Sequence, residues 1–192
     1  MMSTDDPMRV ALEQILAEVA ACVRQVSSAD LARAADLMAT SPRIFVAGAG
    51  RSGLCMRALG MRLVHLGKTV YVVGETTTPS ITMEDLLILG SGSGQTLGLL
   101  AMAGKARRLG AAILLFTTDA ASPLAQLADD RVVIPAPSLK LAEGITDPQS
   151  VQPLGTLFEQ SMLILCDSLI LGLMQRNGVK AAQMFERHAN LE

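Results

Sequence analysis

The chain has 192 residues, half of them apolar, with 16 basic against 18 acidic side chains and a formal net charge of −2. That length suits one domain with a sizeable core and is short for a dinucleotide-binding half joined to a separate substrate half. With no tryptophan, one tyrosine, four phenylalanines and no basic excess, the chain lacks the electrostatic footprint and the base-stacking platform of a nucleic-acid binder.

The opening MMSTDDPM sets Asp5 and Asp6 where a secretory leader would be positively charged, so a cytoplasmic location is expected. Residues 8–26 space apolar side chains helically, with Glu13, Glu18 and Arg24 on another face, and a second helix is predicted over 28–40. Residues 1–41 therefore form a helical lead-in packed on the same domain, and 42–192 the domain proper. From Arg43 onward, short apolar runs alternate with helical stretches: RIFVAG, a helix over 54–66, TVYVVG and a polar stretch, DLLILG, a helix over 96–109, AAILLFT, a helix over 122–128, and RVVIPA. Five β-rich runs without polar alternation predict a parallel sheet covered on both faces, a doubly wound, flavodoxin-like α/β fold.

Pro135 and Pro137 close the fifth run, and the polar stretch from there to Ser150 reads as a surface loop or a lid. Helices are predicted over 152–176 and 179–187, before a terminal HANLE. The most apolar segment, 154–174, is interrupted by Glu159, Gln160 and Asp167, which favours a helix buried on most sides over a membrane span. Cys22, Cys55 and Cys166 are odd in number, far apart and set in apolar or helical stretches, so buried reduced thiols are expected, with no disulfide framework and no metal site.

Two loops follow predicted strands, in the position where open α/β sheets collect ligands. GAGRSG, residues 48–53, has the G-x-G-x-x-G spacing of a dinucleotide site, but the acidic residue such a site needs about 20 positions on is represented only by Glu75, past Gly74 in GETTTP. SGSGQT, residues 91–96, alternates hydroxyl residues with glycine and leads into a helix. Taken alone, each loop could be an ordinary turn with a helix cap. Taken together, after neighbouring strands, they suit a phosphomonoester held by hydroxyls and backbone amides.

A sugar phosphate bound there could be isomerised without a cofactor by a single base that moves a proton between adjacent carbons. Glu159, among Phe158, Met162 and Leu163 at helical spacing, is the best candidate; the alternative is a glutamate at a helix end paired with an arginine. Asp167 fits a structural or interface role. His65 lies in an apolar helix, where packing explains it as well as proton transfer. His188 could serve as a second acid/base group if the tail docks into an active site, its own or a neighbour's.

In order, GAGRSG, GETTTP, SGSGQT, QPLGTLFEQ and RHANLE resemble the 6-phospho-3-hexuloisomerase branch of the sugar isomerase (SIS) domain family, and the resemblance runs from about residue 12 to residue 192. It implies a single SIS domain with a five-stranded parallel sheet between helices, no cofactor, and a homotetramer with sites near subunit contacts. The implied reaction interconverts D-arabino-hex-3-ulose 6-phosphate and fructose 6-phosphate through a 2,3-enediolate. That step follows formaldehyde fixation in the ribulose monophosphate pathway and implies functional coupling to hexulose-phosphate synthase. By the same resemblance, Ser52, Ser91, Ser93 and Thr96 match phosphate-binding hydroxyls, Gly50, Arg51 and Glu75 match positions at the sugar, Glu159 matches the enediol base, and His188 matches a residue contributed by a neighbouring subunit. Gln95 departs from the SGSGET of many relatives and reads as a change outside the phosphate contacts. The competing readings are an aldose-ketose isomerase of the arabinose 5-phosphate type and a non-catalytic sugar-phosphate sensor.

Overall fold

The computed structural model describes residues 6–137 and 150–191, so the loop or lid predicted over 138–149 lies outside the described residues. Two helices, α1 (Pro7–Arg24) and α2 (Ser28–Thr40), lead into β1 (Arg43–Gly48), α3 (Gly50–His65) and β2 (Thr69–Val72). The chain continues through β3 (Leu86–Gly90), α4 (Leu97–Arg108), β4 (Ala112–Thr117), α5 (Pro123–Leu127) and β5 (Asp130–Val133), and ends with α6 (Thr156–Asn177) and α7 (Ala181–Phe185). The strands form one parallel sheet in the order β2-β1-β3-β4-β5.

The lack of polar alternation in the strands follows from their having two dry faces. Ile44 and Val46 of β1 join Leu86, Ile88, Leu114 and Phe116 in a core shared with α1, α2, α3 and α6. Phe45 and Ala47 point the other way, with Leu87, Leu89, Ile113 and Leu115, onto α4 and α5. The lead-in helices contribute Val19, Cys22, Ala34 and Met38 to the first of these cores.

Three helices differ most from the sequence reading in their bounds. α3 starts at Gly50 rather than at 54, because GRSG winds directly into the helix, where tertiary packing outweighs the poor helix propensity of glycine. α6 starts at Thr156 rather than 152, since Pro153 and Leu154, whose φ is 56°, interrupt the run. α7 spans only Ala181–Phe185.

α6 is long and apolar enough to cross a membrane by length and composition, but half of that stretch is buried inside the fold. Leu157, Phe158, Met162, Leu165, Leu169 and Leu173 face the core, whereas Leu163, Ile164 and Leu171 are exposed. The three cysteines are free thiols; Cys22 and Cys166 are buried and Cys55 is half-buried. Burial pushes all three thiols above their ordinary range.

At the amino-terminal edge of the sheet a charged pair ties β1 to the approach to β3. The Asp85 side chain is fully buried. It accepts hydrogen bonds from Arg43 Nε at 2.8 Å and Arg43 Nη2 at 2.6 Å, and from the amide and hydroxyl of Thr82 at 2.6 and 2.9 Å. Burial raises the carboxyl pKa, but the Arg43 and Thr82 donors outweigh it and hold Asp85 below the usual carboxylate range. With its folded-state pKa depressed, the stabilisation from Asp85 is complete above the unfolded value of about 3.9 and is lost as pH falls through the folded one. Asp85→Asn is expected to lower the melting temperature by roughly 5–10 °C at pH 7. Between pH 5 and pH 3 the variant's melting temperature should fall less steeply than that of the wild type, and parallel slopes in thermal melts would remove Asp85 from the acid response.

Candidate active site

The strand order reverses between β1 and β3, and the loops that leave these two strands line a crevice at their carboxyl ends. The strands end in register on paired glycines, Gly48 and Gly90. Gly50, at φ 56°, turns the chain from β1 into α3 through a left-handed conformation that favours glycine. Three helix N-termini then meet at the crevice: α3 after Ala49, α4 after Thr96, and α6 after Gly155. None of these three carries a side-chain cap, whereas α1, α2 and α5 are capped by Asp6, Ser27 and Ser122. The open first-turn amides and the positive ends of the helix dipoles therefore face the cleft and suit an anion.

The cleft has a volume of about 320 Å³, at the small end for ligand sites. Ser52, Ser91, Ser93 and Thr96 line it with hydroxyls, and Leu154 and Phe158 supply apolar wall. Ser52, Ser91 and Ser93 are themselves buried, so their positions are set by the loops that carry them. The 91–96 loop is anchored from β4: the Ser91 amide donates to the Phe116 carbonyl at 2.9 Å. The Gly92 carbonyl accepts from the Thr117 hydroxyl, the Thr118 hydroxyl and the Thr118 amide at 3.0, 2.9 and 3.0 Å. Ser91 Oγ and Thr96 Oγ1 stand 3.4 Å apart.

Glu159 sits in the first turn of α6 with its side chain 16 % exposed and faces the same cleft. Arg51 Nε donates to Glu159 Oε2 at 2.5 Å, so the glutamate at a helix end paired with an arginine and the glutamate facing the ligand are one residue. The Cys55 thiol donates to the Glu159 backbone carbonyl at 3.4 Å.

The fold thus brings Ser52, Ser91, Ser93, Thr96 and Glu159 to one cleft, with Arg51 joined to it through Glu159 and Gly50 shaping the turn at its edge. It does not bring Glu75 or His188 there. Glu75 follows β2, is about half exposed and pairs with Arg57 at 2.5 Å. His188 lies beyond α7, its ring 5.1 Å from that of His65, beside a second cavity lined also by Arg62, Asp167 and Phe185. His65 closes α3, whose 16 residues span about 24 Å, so the two histidines lie at the far end of that helix from Ser52. Burial, reinforced by His188 and Arg62, pushes the His65 pKa down. Gln95 is exposed and outside the cleft lining.

Sequence reasoning missed Leu154, Phe158 and Thr118 as lining residues. Thr118 had a usable signal, the carboxyl end of the strand next to β3. Phe158 looked like core, and it is buried as well as lining. Among the described residues no cluster of three or more His, Cys, Asp or Glu side chains could hold a metal.

The family model described as the SIS domain matches residues 37–152. A 3-hexulose-6-phosphate isomerase of Mycobacterium gastri is 45 % identical over 175 residues, covering 91 % of this chain and 86 % of the relative. One of Bacillus subtilis is 38 % identical over 179 residues, covering 93 % and 96 %. Among solved structures, a Methanococcus jannaschii protein whose structure infers a function of 3-hexulose-6-phosphate isomerase aligns with a TM-score of 0.82 at 31 % identity, covering 95 % of this chain and 99 % of that one.

If the hydroxyls hold a phosphate, Ser93→Ala should weaken inorganic phosphate binding about tenfold, the worth of one hydrogen bond to a charged group. Calorimetric titration checks this, and unchanged affinity with an unchanged melting temperature would remove Ser93 from the anion site.

Proposed function

The chain belongs to the SIS domain family, and from that premise we infer that it is an isomerase interconverting 3-hexulose 6-phosphate and fructose 6-phosphate. One observation carries the site assignment: among the described residues a single carboxylate, Glu159, shares a cleft with five hydroxyl side chains and three uncapped helix N-termini.

The substrate's own chemistry sets the task. Closing a five-membered ring on the carbon 3 carbonyl would need the oxygen on carbon 6, which carries the phosphate, so the 3-ketose is open-chain. Starting from the 3-ketose, no ring has to be opened, and the remaining demand is one proton moved between carbons 2 and 3. Ser52, Ser91, Ser93 and Thr96 bind the phosphate together with the first-turn amides, which need no lysine. In the reverse direction Glu159 removes the proton from carbon 3 of open-chain fructose 6-phosphate, and the electron pair forms the carbon 2–carbon 3 double bond of the enediolate, with the negative charge on oxygen 2. Return of that proton to carbon 2, with transfer of the hydroxyl proton from oxygen 3 to oxygen 2, completes the 3-ketose. Uncapped amides beside the cleft stabilise the negative oxygen of the intermediate. Arg51, paired with Glu159, holds the carboxylate in place between turnovers.

The assembly belongs to the same proposal. Leu54, Met61 and Val64 on α3 are exposed, as are Leu163, Ile164 and Leu171 on α6, two helices that pack side by side. That surface suits a contact between copies in a homotetramer. His188 stands at the far end of α3 from its own cleft, so a part in the reaction requires that it enter the cleft of a neighbouring subunit. Formaldehyde assimilation in the ribulose monophosphate pathway, coupling to hexulose-phosphate synthase and a cytoplasmic location complete this reading.

Proton NMR of fructose 6-phosphate in deuterium oxide tests the reaction. Loss of the carbon 3 hydrogen, or a 3-ketose signal, is expected; exchange confined to carbon 1 would indicate an aldose-ketose isomerase, and binding without reaction a sensor. Glu159→Gln should lose turnover by about 100-fold or more while keeping fructose 6-phosphate binding; full rate would place the base elsewhere. Co-expression of Glu159→Gln with His188→Ala should yield oligomers more active than either variant alone. Activity no higher than the better single variant would exclude a site shared between subunits.

A further inference from the structure

One tie between the lead-in and the end of the chain has no part in the reaction just described. Glu18, on α1, accepts hydrogen bonds from three successive residues: Ser150 Oγ at 2.7 Å, the Val151 amide at 2.8 Å and Gln152 Nε2 at 3.0 Å. The Gln152 amide in turn donates to Ser150 Oγ at 3.0 Å, which closes the knot. A carboxylate's lone pairs suit three converging donors. Burial raises the Glu18 pKa, but the bonds from Gln152, Val151 and Ser150 outweigh it and hold it below the usual range, so it stays charged at neutral pH.

This stretch carries two costs. Gln152 is buried and its Oε1 finds no partner among the described residues, a penalty that native proteins rarely accept without a reason. Two residues on, Leu154 has φ 56°, the sole positive value on a non-glycine among the described residues. Such strain persists where the surroundings over-determine the backbone, and it clusters at functional sites. Leu154 and Gly155 both line the cleft. From there the chain is tied step by step to the base: the Thr156 hydroxyl and amide donate to the Pro153 carbonyl at 2.6 and 3.2 Å, and the Glu159 amide donates to the Gly155 carbonyl at 3.0 Å.

We propose that Glu18 is a positioning residue of the isomerase: by clamping residues 150–152 it holds the strained turn at Leu154 and the first turn of α6 where Glu159 meets the substrate. The proposal rests on Glu159 acting as the base. It makes the lead-in helix part of the catalytic apparatus, although Glu18 touches no substrate.

Glu18→Ala tests this in a helix where alanine carries no propensity cost, with Glu13→Ala on the exposed side of α1 as the control. Glu18→Ala is expected to lower kcat about 10- to 100-fold, the order expected for a carboxylate displaced by about 1 Å, with KM for fructose 6-phosphate within about threefold. Glu18→Gln, which keeps an acceptor, should recover part of the loss, and Glu13→Ala should keep the wild-type rate. Added to Glu159→Gln, the alanine change should cost nothing further, because both act through one group. A lowered melting temperature with unchanged kcat would overturn the proposal, as would losses that multiply in the double variant. Should Glu18→Ala fail to fold, Gln152→Glu, which sets a second carboxylate against Glu18, carries the same expectations. Full rate in Glu159→Gln would overturn the base assignment and the clamp's route to the substrate together. A slow Glu159→Gln beside a normal Glu18→Ala would overturn the clamp alone.

Discussion

No side chain fits at Gly48. A Cβ there would lie 2.8 Å from the Gly53 amide nitrogen, and one on Gly53 would lie 2.7 Å from the Gly48 carbonyl oxygen. This backbone contact seats the first turn of α3 directly on the end of β1. Because Gly48 pairs in register with Gly90, it also sets that turn beside the loop leaving β3. A larger residue at either glycine would push the helix back, and the cleft would lose one of its walls. The same approach of helix to strand underlies the dinucleotide pattern, so G-x-G-x-x-G reports a packing geometry before it reports a ligand. The ligand is decided by what surrounds the turn, here a second hydroxyl-rich loop and a carboxylate.

An acidic chain that binds an anion has to find positive potential outside its side-chain count. Among the described residues the cleft lining holds one carboxylate and no lysine or arginine, and Arg51 reaches it only through Glu159. The potential comes from backbone dipoles. Three helices start at the cleft without the side-chain cap that an isolated helix would use, forgoing about 1 kcal/mol each, while α1, α2 and α5, which start elsewhere, keep theirs. Open amides cost stability in the empty protein and leave donors available to an anion.

The carboxylate proposed as the base has a different problem, since it stands on a helix that is apolar nearly all round and begins just after a proline and a strained leucine. Nothing local fixes where such a helix begins. Its first turn is located by Arg51 on one side and, through residues 150–152, by Glu18 on the other. The outer surface of that helix remains apolar, and together with α3 it offers the area that the proposed subunit contact would cover.

The sequence by itself determined whatever depends on neighbours along the chain. Apolar runs without polar alternation, such as DLLILG, declared strands buried on both faces; glycine and serine spacing marked the loops at 48–53 and 91–96; and a carboxylate within an apolar helix singled out Glu159. The motif resemblance added the reaction. Only the tertiary structure decided which distant pieces meet. Arg51 and Glu159 are 108 positions apart, and their pairing depends on α3 and α6 packing on the same face of the sheet. Glu75 and His188 carried motif positions as good as the rest, yet the fold leaves one on Arg57 and the other at the far end of α3. The Glu18 clamp and the backbone of Leu154 had no sequence signal, because a glutamate on an amphipathic helix reads as a solvated face and a leucine before a glycine reads as core. Periodicity and propensity are local properties, whereas strand order, helix packing and the hydrogen bonds that join distant residues arise from the collapse of the whole chain.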